Sequence, residues 1–279
     1  MESNQVGLLG YPLKHSVSSV FQQAAFDHFS LPIKYVNLNV DSSEFPDAVS
    51  KLRQNIFLGA NVTIPYKEKI INLIDEVSDL ALNVGAINTI LNSSGKLLGF
   101  NTDVDGFVDS LKFKLNLHLP DKNIVVIGAG GAARAAVYGL FRENVGSVTI
   151  YNRTFERSKI LSTQFPDLSI AKTLDDLKKV CLNAALIVNC TSVGMAHTDT
   201  EDVSPIDVEL ISEGSMVFDM VYNPSRTKLI KECEQKNIKV VGGLWMLVYQ
   251  GAKAFKIWTN KEAPMDLMYD AAMKAILDF

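Results

Sequence analysis

No stretch of this 279-residue chain reaches the roughly eighteen consecutive apolar residues that a membrane-spanning helix needs, so no membrane partner is expected. The opening residues, Met1-Glu2-Ser3-Asn4-Gln5, carry no basic charge, and the apolar stretch behind them is broken by Gly10 and Pro12, which predicts no signal peptide. Cysteine is scarce too. Cys181, Cys190 and Cys233 are odd in number, lack C-x-x-C spacing and fall in apolar or helical segments, so neither a disulfide framework nor a zinc site is expected. They read as small buried hydrophobes, and a reducing cytoplasm is the expected location. An excess of positive charge is also missing: the formal net charge is −4 and the basic residues are scattered. Nucleic-acid binding needs a basic face to neutralise phosphates, so nucleic acid is not an expected partner, although local cationic sites for small anions stay open.

What is present is ordinary for a globular protein: 47% apolar and 21% charged residues, in a chain long enough for one or two domains with a real core. The most informative stretch runs from Lys122 to Arg157. Asn123 to Ile127 is a short β-branched run, followed without a spacer by Gly128-Ala129-Gly130-Gly131-Ala132-Ala133-Arg134 and a helix-forming segment to Phe141. A dinucleotide site requires that order. Gly128 permits the tight turn, Gly130 lets a pyrophosphate approach the backbone, and Ala133 lets the helix pack closely on the strand. The pyrophosphate would rest on the N–H groups at the helix start. The next strand, Ser147 to Tyr151, ends in Asn152-Arg153-Thr154, with Arg157 just beyond and no acid before Glu156. A carboxylate there suits the ribose 2′-hydroxyl of NAD, whereas a guanidinium offers paired donors to a 2′-phosphate and can stack on adenine. The stretch therefore favours NADP. Taken singly, Arg153 and Arg157 also fit a solvated helix start.

Ahead of this unit, strands and helices alternate, which gives a mostly parallel sheet covered on both faces. Val6 to Leu9 reads as a strand, Val17 to Phe29 as a helix, Lys34 to Val40 as a strand, Ser43 to Gln54 as a helix capped by Ser43, and Leu58 to Ile64 as a third strand. The first turn holds Lys14, His15, Ser16 and Ser18. Two hydroxyls there can bind a carboxylate, though on this stretch alone helix capping is the simpler account. Pro65 suits the start of a helix continuing through Ile74, which would put Lys67 in its first turn. A cation in that place opposes the helix dipole by about 0.3–1 kcal/mol, so its pKa should tend downward, although a solvated lysine is the commoner finding. Ala86 to Leu91 and Lys96 to Phe100 read as paired strands, with Asn88 a polar residue in an apolar run that needs partners. Asn101-Thr102-Asp103-Val104-Asp105-Gly106 superficially suggests calcium, but the spacing is wrong and no glutamate closes a twelve-residue loop. Asp103 reads as a helix cap or as an acid facing a cleft. Leu119-Pro120-Asp121 reads as the hinge into the dinucleotide unit, and His197 to Pro205 as a polar, mobile loop. Strands from Ala184 to Asn189 and from Met216 to Met220 end in Thr191-Ser192-Val193-Gly194 and Val221-Tyr222-Asn223-Pro224, and strand C-termini are where open α/β sheets bind ligands. Val240 to Gly243 is a last strand, followed by apolar helices from Leu244 to Trp258, with Gln250 in its middle, and from Met265 to Leu277.

Taken in order, G-Y-P-L-K-H-S-V-S, N-V-T-I-P-Y-K, G-A-I-N-T-I, N-T-D-V-D-G-F, G-A-G-G-A-A-R, N-R-T, N-C-T-S-V-G-M, D-M-V-Y-N-P and G-G-L-W-M-L-V-Y-Q-G-A resemble the motifs of the shikimate dehydrogenase family, from about residue 6 to the C-terminus. The resemblance implies an α/β protein with a discontinuous substrate domain, residues 1–103 and 244–279, whose final helices fold back onto the N-terminal half. A Rossmann-type NADP-binding domain, residues 104–243, is inserted between its parts. It implies Lys67 and Asp103 as the catalytic pair and Ser16, Ser18, Thr63, Asn88, Tyr222 and Gln250 as substrate ligands, with the two serines taking the carboxylate. NADP(H) would be held by Gly128, Ala129, Gly130, Gly131 and Ala132 in the glycine turn, by Asn152, Arg153, Thr154 and Arg157 after the second strand, and by Thr191, Ser192, Val221 and Gly243. The implied reaction is reversible, NADPH-dependent reduction of 3-dehydroshikimate to shikimate, on the route to chorismate and the aromatic amino acids, with no metal and as a monomer or homodimer. A positioned ammonium suits this chemistry, since hydride addition to a ketone leaves an alkoxide needing charge stabilisation and a proton. Asp103 would orient Lys67, and the sequence leaves open which of the two transfers the proton.

The chain departs from the family pattern at Ser19, Gln22 and Gln23, where the family usually has Pro and His-Asn. Altered packing beside the first turn is expected there, not a lost site. A quinate or dual quinate/shikimate dehydrogenase using NAD is the nearest alternative. Relatives of that type tend to alter the positions of Ser18 or Thr63, and both are retained here. A non-catalytic metabolite sensor of the same fold is a second alternative, against which Lys67 and Asp103 argue.

Overall fold

The computed structural model describes residues 4–14 and 16–278 and falls into two compact units. One comprises the chain up to Gly106 together with the segment from Val248 onward; the other runs from Phe107 to Leu247. His15, part of the expected first turn, lies outside the described residues.

The first unit begins with β1 (Asn4–Gly10), α1 (Ser18–His28), β2 (Ile33–Asn39), α2 (Phe45–Lys51) and β3 (Phe57–Val62). A 3-10 turn at Lys69–Leu73, β4 (Glu76–Val77) and α3 (Asp79–Val84) lead to the hairpin β5 (Thr89–Ser93) and β6 (Lys96–Phe100), then to α4 (Asp103–Phe113). The strands lie in the order β2-β1-β3-β5-β6-β4. β1 runs parallel to β2 and β3, while β5 is antiparallel to β3 and β6. The reversal is local chemistry: the loop between β5 and β6 is Ser94-Gly95, both at positive φ (54° and 89°), as a two-residue hairpin turn demands. Because β5 is reversed, its N-terminal end meets the C-terminal ends of β1 and β3, and Asn88, just ahead of β5, stands beside the loops those strands feed.

Three local expectations are corrected. Ser43 does not cap α2; the Asp41 carboxylate does the comparable work, accepting from Ser43 N at 2.7 Å, Ser43 Oγ at 2.6 Å and Glu44 N at 3.3 Å. Pro65 does not start a helix that holds Lys67. The residue before a proline is biased away from helical geometry, and regular turns begin only at Lys69, as a short 3-10 segment. The hinge at Leu119-Pro120-Asp121 is not one either: the two units divide between Gly106 and Phe107, while Leu117 and Leu119 are buried in the core of the second unit.

That second unit repeats strand and helix: β7 (Asn123–Ile127), α5 (Gly131–Arg142), β8 (Ser147–Tyr151), α6 (Phe155–Gln164), β9 (Leu168–Ile170), α7 (Leu174–Cys181), β10 (Leu186–Asn189), β11 (Met216–Asp219), α8 (Lys228–Gln235) and β12 (Lys239–Gly242). All pairings are parallel, in the order β12-β11-β10-β7-β8-β9. Alternate residues of β7 point to opposite cores, Ile124 and Val126 to one and Val125 and Ile127 to the other, as expected of a sheet covered on both faces. The chain crosses from one side of β7 to the other between β9 and β10, which makes the loops after β7 and β10 the walls of the crevice where such sheets take ligands.

Two last helices, α9 (Leu244–Thr259) and α10 (Met265–Leu277), complete the chain. From Val248 onward they belong to the first unit, where Phe255 lies 5.3 Å from the Phe26 ring of α1 and Trp258 Nε1 donates to Ile90 O at 2.8 Å.

Candidate active site

In the first unit, the polar residues singled out by sequence converge on Asn88. Its Nδ2 lies 2.9 Å from Thr102 Oγ1, 2.9 Å from Asp103 Oδ1 and 3.2 Å from Gln250 Oε1. Its Oδ1 accepts from the Thr102 backbone N–H at 2.8 Å and from Thr89 Oγ1 at 3.1 Å. Asn88 is 2% exposed, so these contacts are what make a buried amide tolerable. An amide has two N–H hydrogens for those three acceptors, and the Gln250 oxygen, the farthest, is the one left to share.

Asp103 opens α4. Asn101 Oδ1 accepts from the Asp103 and Val104 N–H groups at 3.0 and 3.2 Å, so the capping expected of Asp103 falls to Asn101. This leaves the Asp103 carboxylate for the site, at a helix N-terminus that favours negative charge. Its other oxygen, Oδ2, receives Lys67 Nζ at 2.7 Å. The lysine side chain is 19% exposed and the aspartate 7%, so the ammonium is the member of the pair that reaches outward. Lys67 is held by its backbone, whose carbonyl accepts from Ile87 N at 2.8 Å, and by its neighbour Tyr66. That ring stacks on Phe45 at 4.0 Å and its hydroxyl donates to Val40 O at 2.6 Å. Lys67 therefore stands in an ion pair and not in the first turn of a helix.

The other expected ligands sit on the adjoining loops. Thr63 N donates to Leu9 O at 2.9 Å and Tyr11 N to Ile64 O at 3.1 Å, which ties the loop after β1 to the loop after β3. Ser16 Oγ accepts from Ser18 N at 3.3 Å, while Val17 is the N-cap residue, so neither serine is the N-cap of α1. Gln22 and Gln23 brace the neighbourhood. Gln22 Nε2 donates to Gly251 O at 2.9 Å, one residue from Gln250, and Gln23 accepts from Tyr35 N at 2.9 Å. Gly106 carries a packing demand of its own: a Cβ there would lie 2.8 Å from both Gln250 N and Gln250 Cβ, so only glycine lets α4 approach α9 closely enough for Gln250 to reach Asn88.

Sequence reasoning passed over Thr102, 4% exposed between Asn88 and Gln250, and the inner relay Tyr35–Asn61–Thr89. Tyr35 Oη donates to Asn61 Oδ1 at 2.9 Å, and Asn61 Nδ2 donates to Thr89 Oγ1 and Asn88 O at 3.1 Å. For Asn61 and Thr89 the signal was the same as for Asn88, a polar residue inside an apolar strand, whereas Thr102 sat in the polar run Asn101-Thr102-Asp103. Tyr222 follows β11 in the second unit; burial pushes its phenol above the usual range, so it stays protonated at neutral pH.

In the second unit, Gly128 takes φ 107° as the tight turn requires, and a Cβ on it would lie 3.0 Å from Thr191 Cγ2. Gly130 is different. It is the N-cap of the 12-residue α5, and a Cβ there would meet no protein atom within 4 Å. No packing demands glycine at that place, and the open space at a helix N-terminus fits a pyrophosphate. Ala129, Gly131 and Ala132 beside it are partly exposed. At the end of β8, Asn152 Nδ2 donates to Thr154 O at 2.8 Å, and Arg153 and Arg157 are exposed. Thr191 and Ser192 follow β10, Val221 follows β11 and Gly243 follows β12, its N–H donating to Val221 O at 3.1 Å.

Among the described residues, no group of three or more His, Cys, Asp or Glu could hold a metal ion, and no helix is long and apolar enough to cross a membrane. Cys181 and Cys233 are buried and Cys190 partly so. Burial pushes the Cys181 thiol up to about 11 and raises the other two further, which disfavours the thiolate form of each near neutrality.

Three family models match along the chain: a shikimate dehydrogenase substrate-binding domain over residues 8–90, a shikimate/quinate 5-dehydrogenase domain over 110–241, and a shikimate 5′-dehydrogenase C-terminal domain over 243–273. The shikimate dehydrogenase (NADP⁺) of Symbiobacterium thermophilum is 38% identical over 97% of this chain and 94% of its own. The crystal structure of shikimate dehydrogenase from Aquifex aeolicus superposes with a TM-score of 0.89 at 38% identity, covering 96% of this chain and 97% of that one. Shikimate 5-dehydrogenase from Thermus thermophilus, solved in complex with NADP(H) and shikimate, gives 0.88 at 34% identity, covering 98% and 99%.

Proposed function

The chain belongs to the shikimate dehydrogenase family, and on that premise we propose that Lys67 is the proton donor when it reduces 3-dehydroshikimate to shikimate with NADPH. The observation that carries this reading is the Lys67–Asp103 pair at 2.7 Å, with the lysine the more exposed member. Both oxygens of Asp103 are already engaged, one by Asn88 and one by Lys67, whereas an ammonium has three N–H donors and gives only one to Asp103. Lys67 therefore keeps donors for the reacting oxygen.

Bound NADPH supplies the hydride. As hydride reaches the carbonyl carbon, negative charge develops on the oxygen; the Lys67 ammonium stabilises that charge and passes its proton to the alkoxide. Asp103 holds the ammonium in place and, in the reverse direction, favours its recharging. Ser16 and Ser18 take the substrate carboxylate, while Thr63, Asn88, Gln250 and Tyr222 bind ring hydroxyls. In the second unit, the glycine turn from Gly128 to Ala132 receives the pyrophosphate. Arg153 and Arg157, with Asn152 and Thr154, receive the 2′-phosphate, and Thr191, Ser192, Val221 and Gly243 line the crevice. A monomer or a homodimer is the expected state. A biosynthetic step that draws on NADPH fits a cytoplasmic setting.

The decisive experiment pairs shikimate or quinate with NADP⁺ or NAD⁺ and follows formation of the reduced cofactor by its absorbance. Shikimate with NADP⁺ is expected to give the highest kcat/KM; a preference for quinate with NAD⁺ would overturn the substrate assignment. Arg153→Asp tests the phosphate clamp. It should raise the KM for NADP⁺ by about 10²-fold, the loss of one charge-assisted pair plus the new repulsion, and leave the KM for NAD⁺ within about threefold. Equal effects on both cofactors would sink this role for Arg153.

A further inference from the structure

The second unit buries a carboxylate that this chemistry does not use. Asp219, the last residue of β11, is 0% exposed. Three neutral donors meet it: Asn189 Nδ2 at 2.9 Å and Val221 N at 3.1 Å on Oδ1, and Thr227 Oγ1 at 2.6 Å on Oδ2. Burying a carboxylate is costly, and such a group persists where its hydrogen bonds organise something. What these bonds organise can be followed outward. Asn189, also 0% exposed and the register partner of Asp219 on β10, gives one amide hydrogen to Asp219 and directs the other to Val193 O at 3.4 Å, leaving its own oxygen to the next turn. That oxygen accepts from Thr191 N at 3.0 Å and Thr191 Oγ1 at 2.7 Å, and Thr191 Oγ1 in turn accepts from Val193 N at 3.1 Å. The turn so fixed is the one whose Thr191 methyl lies 3.0 Å from where a Cβ on Gly128 would be. On the other side, Val221 N is held by the same Asp219 oxygen, and the Val221 carbonyl accepts from Gly243 N. One carboxylate thus spans the turns after β10 and β11 and, through Val221, reaches the turn after β12.

We propose that Asp219 is a positioning residue for cofactor binding, holding the turns that carry Thr191 and Val221 in register with the glycine turn at Gly128. The inference rests on the reading of those turns as the NADP site. Amide oxygens elsewhere in the chain also accept twice, as Asn189 Oδ1 does from Thr191, but an amide has a single acceptor atom; here one oxygen accepts twice while the other accepts from Thr227, and a carboxylate serves all three donors without a hydrogen of its own in the way. Burial nevertheless raises the Asp219 pKa above the ordinary carboxylate value, against the three hydrogen bonds, which marks the group as retained at a cost.

The test is direct binding of NADPH, by fluorescence titration, and of shikimate, by calorimetry, to the purified full chain and its variants. Asp219→Ala is expected to raise the Kd for NADPH by about tenfold or more, the effect of a loosened ligand wall, while the Kd for shikimate, which takes only Tyr222 of its proposed ligands from these turns, rises no more than about threefold. A merely structural role would lower the melting temperature without separating the two ligands. Asp219→Asn keeps an acceptor toward Asn189 and Val221 and lets the Thr227 hydroxyl turn to accept, so it should recover most of the affinity; a loss as deep as that of Asp219→Ala would overturn the hydrogen-bond account. Should Asp219→Ala fail to fold, Asn189→Ala leaves the carboxylate its Val221 and Thr227 donors while removing its link to the Thr191 turn, and is expected to weaken NADPH about fivefold or more. An NADPH Kd unchanged in a folded variant overturns the proposal alone. A wild-type protein that binds no NADPH overturns the cofactor reading together with it.

Discussion

Lys67→Met is expected to lower kcat by about 10³- to 10⁴-fold, with the dissociation constants of shikimate and NADP⁺ changed by no more than about threefold. The magnitude combines the loss of a positioned proton donor with the loss of a positive charge at the developing alkoxide, two contributions that a methionine of similar length cannot supply. Binding is spared because Asn88, Gln250, Thr63 and the serine turn still meet the substrate. Asp103 loses its cation but not its other support, since Asn88 Nδ2 remains 2.9 Å away and the start of α4 still favours a negative charge. The variant should therefore fold, at a cost of about 1–3 kcal/mol for the uncompensated carboxylate. Asp103→Asn should reduce kcat less steeply, because the ammonium survives and only its orientation suffers. The two residues act as a unit, so the double variant should be little worse than Lys67→Met alone. Steady-state kinetics in both directions checks this, and a Lys67→Met enzyme with more than about a tenth of the wild-type kcat would remove the lysine from the chemistry.

The glycine turn, the strand before it and the helix after it could be read directly, because each depends on residues within a few positions of one another. Asn88 and Gln250 were legible as polar residues out of place in apolar surroundings, and Asp103 as a helix cap or cleft-facing acid in a polar cluster. Their joint arrangement was not, since Asn88 and Gln250 are 162 residues apart and meet only when α9 packs on the first unit. The same distance problem hid Thr102 and Asn61. From its neighbours alone, Lys67 reads as a lysine in a first helical turn. Its environment is instead set by Tyr66 stacking on Phe45 and by a carboxylate 36 residues away, both beyond local pattern. Asp219 stood in plain view at the end of an apolar strand, yet its importance lies in which turns it ties together, and only the parallel register of β10 and β11 reveals them.

Asn88→Asp should be the most revealing change in the first unit, because it replaces a donor by a second carboxylate beside Asp103. In the wild type, Asn88 Nδ2 lies 2.9 Å from Asp103 Oδ1. Two carboxylates at that separation do not both ionise readily; the pair retains one proton to a pH well above the usual carboxylate range and titrates jointly. While that proton is held, an O–H stands where the amide N–H stood and the hydrogen-bond pattern around Asp103 is approximately restored. Once it is lost, the like charges repel, Lys67 is pulled between two acceptors and the shared donor to Thr102 and Gln250 disappears. The expected result is a kcat/KM lowered by about 10²-fold at neutral pH, with part of it recovered as the pH falls through the joint pKa of the pair. The sign follows from the raised pKa, since a group of that kind is in its native-like protonated form below it and loses that form above it. Asn88→Ala has no proton to regain and should show no such recovery. Parallel pH profiles for the two variants would show that Asn88 does not work by donating to Asp103.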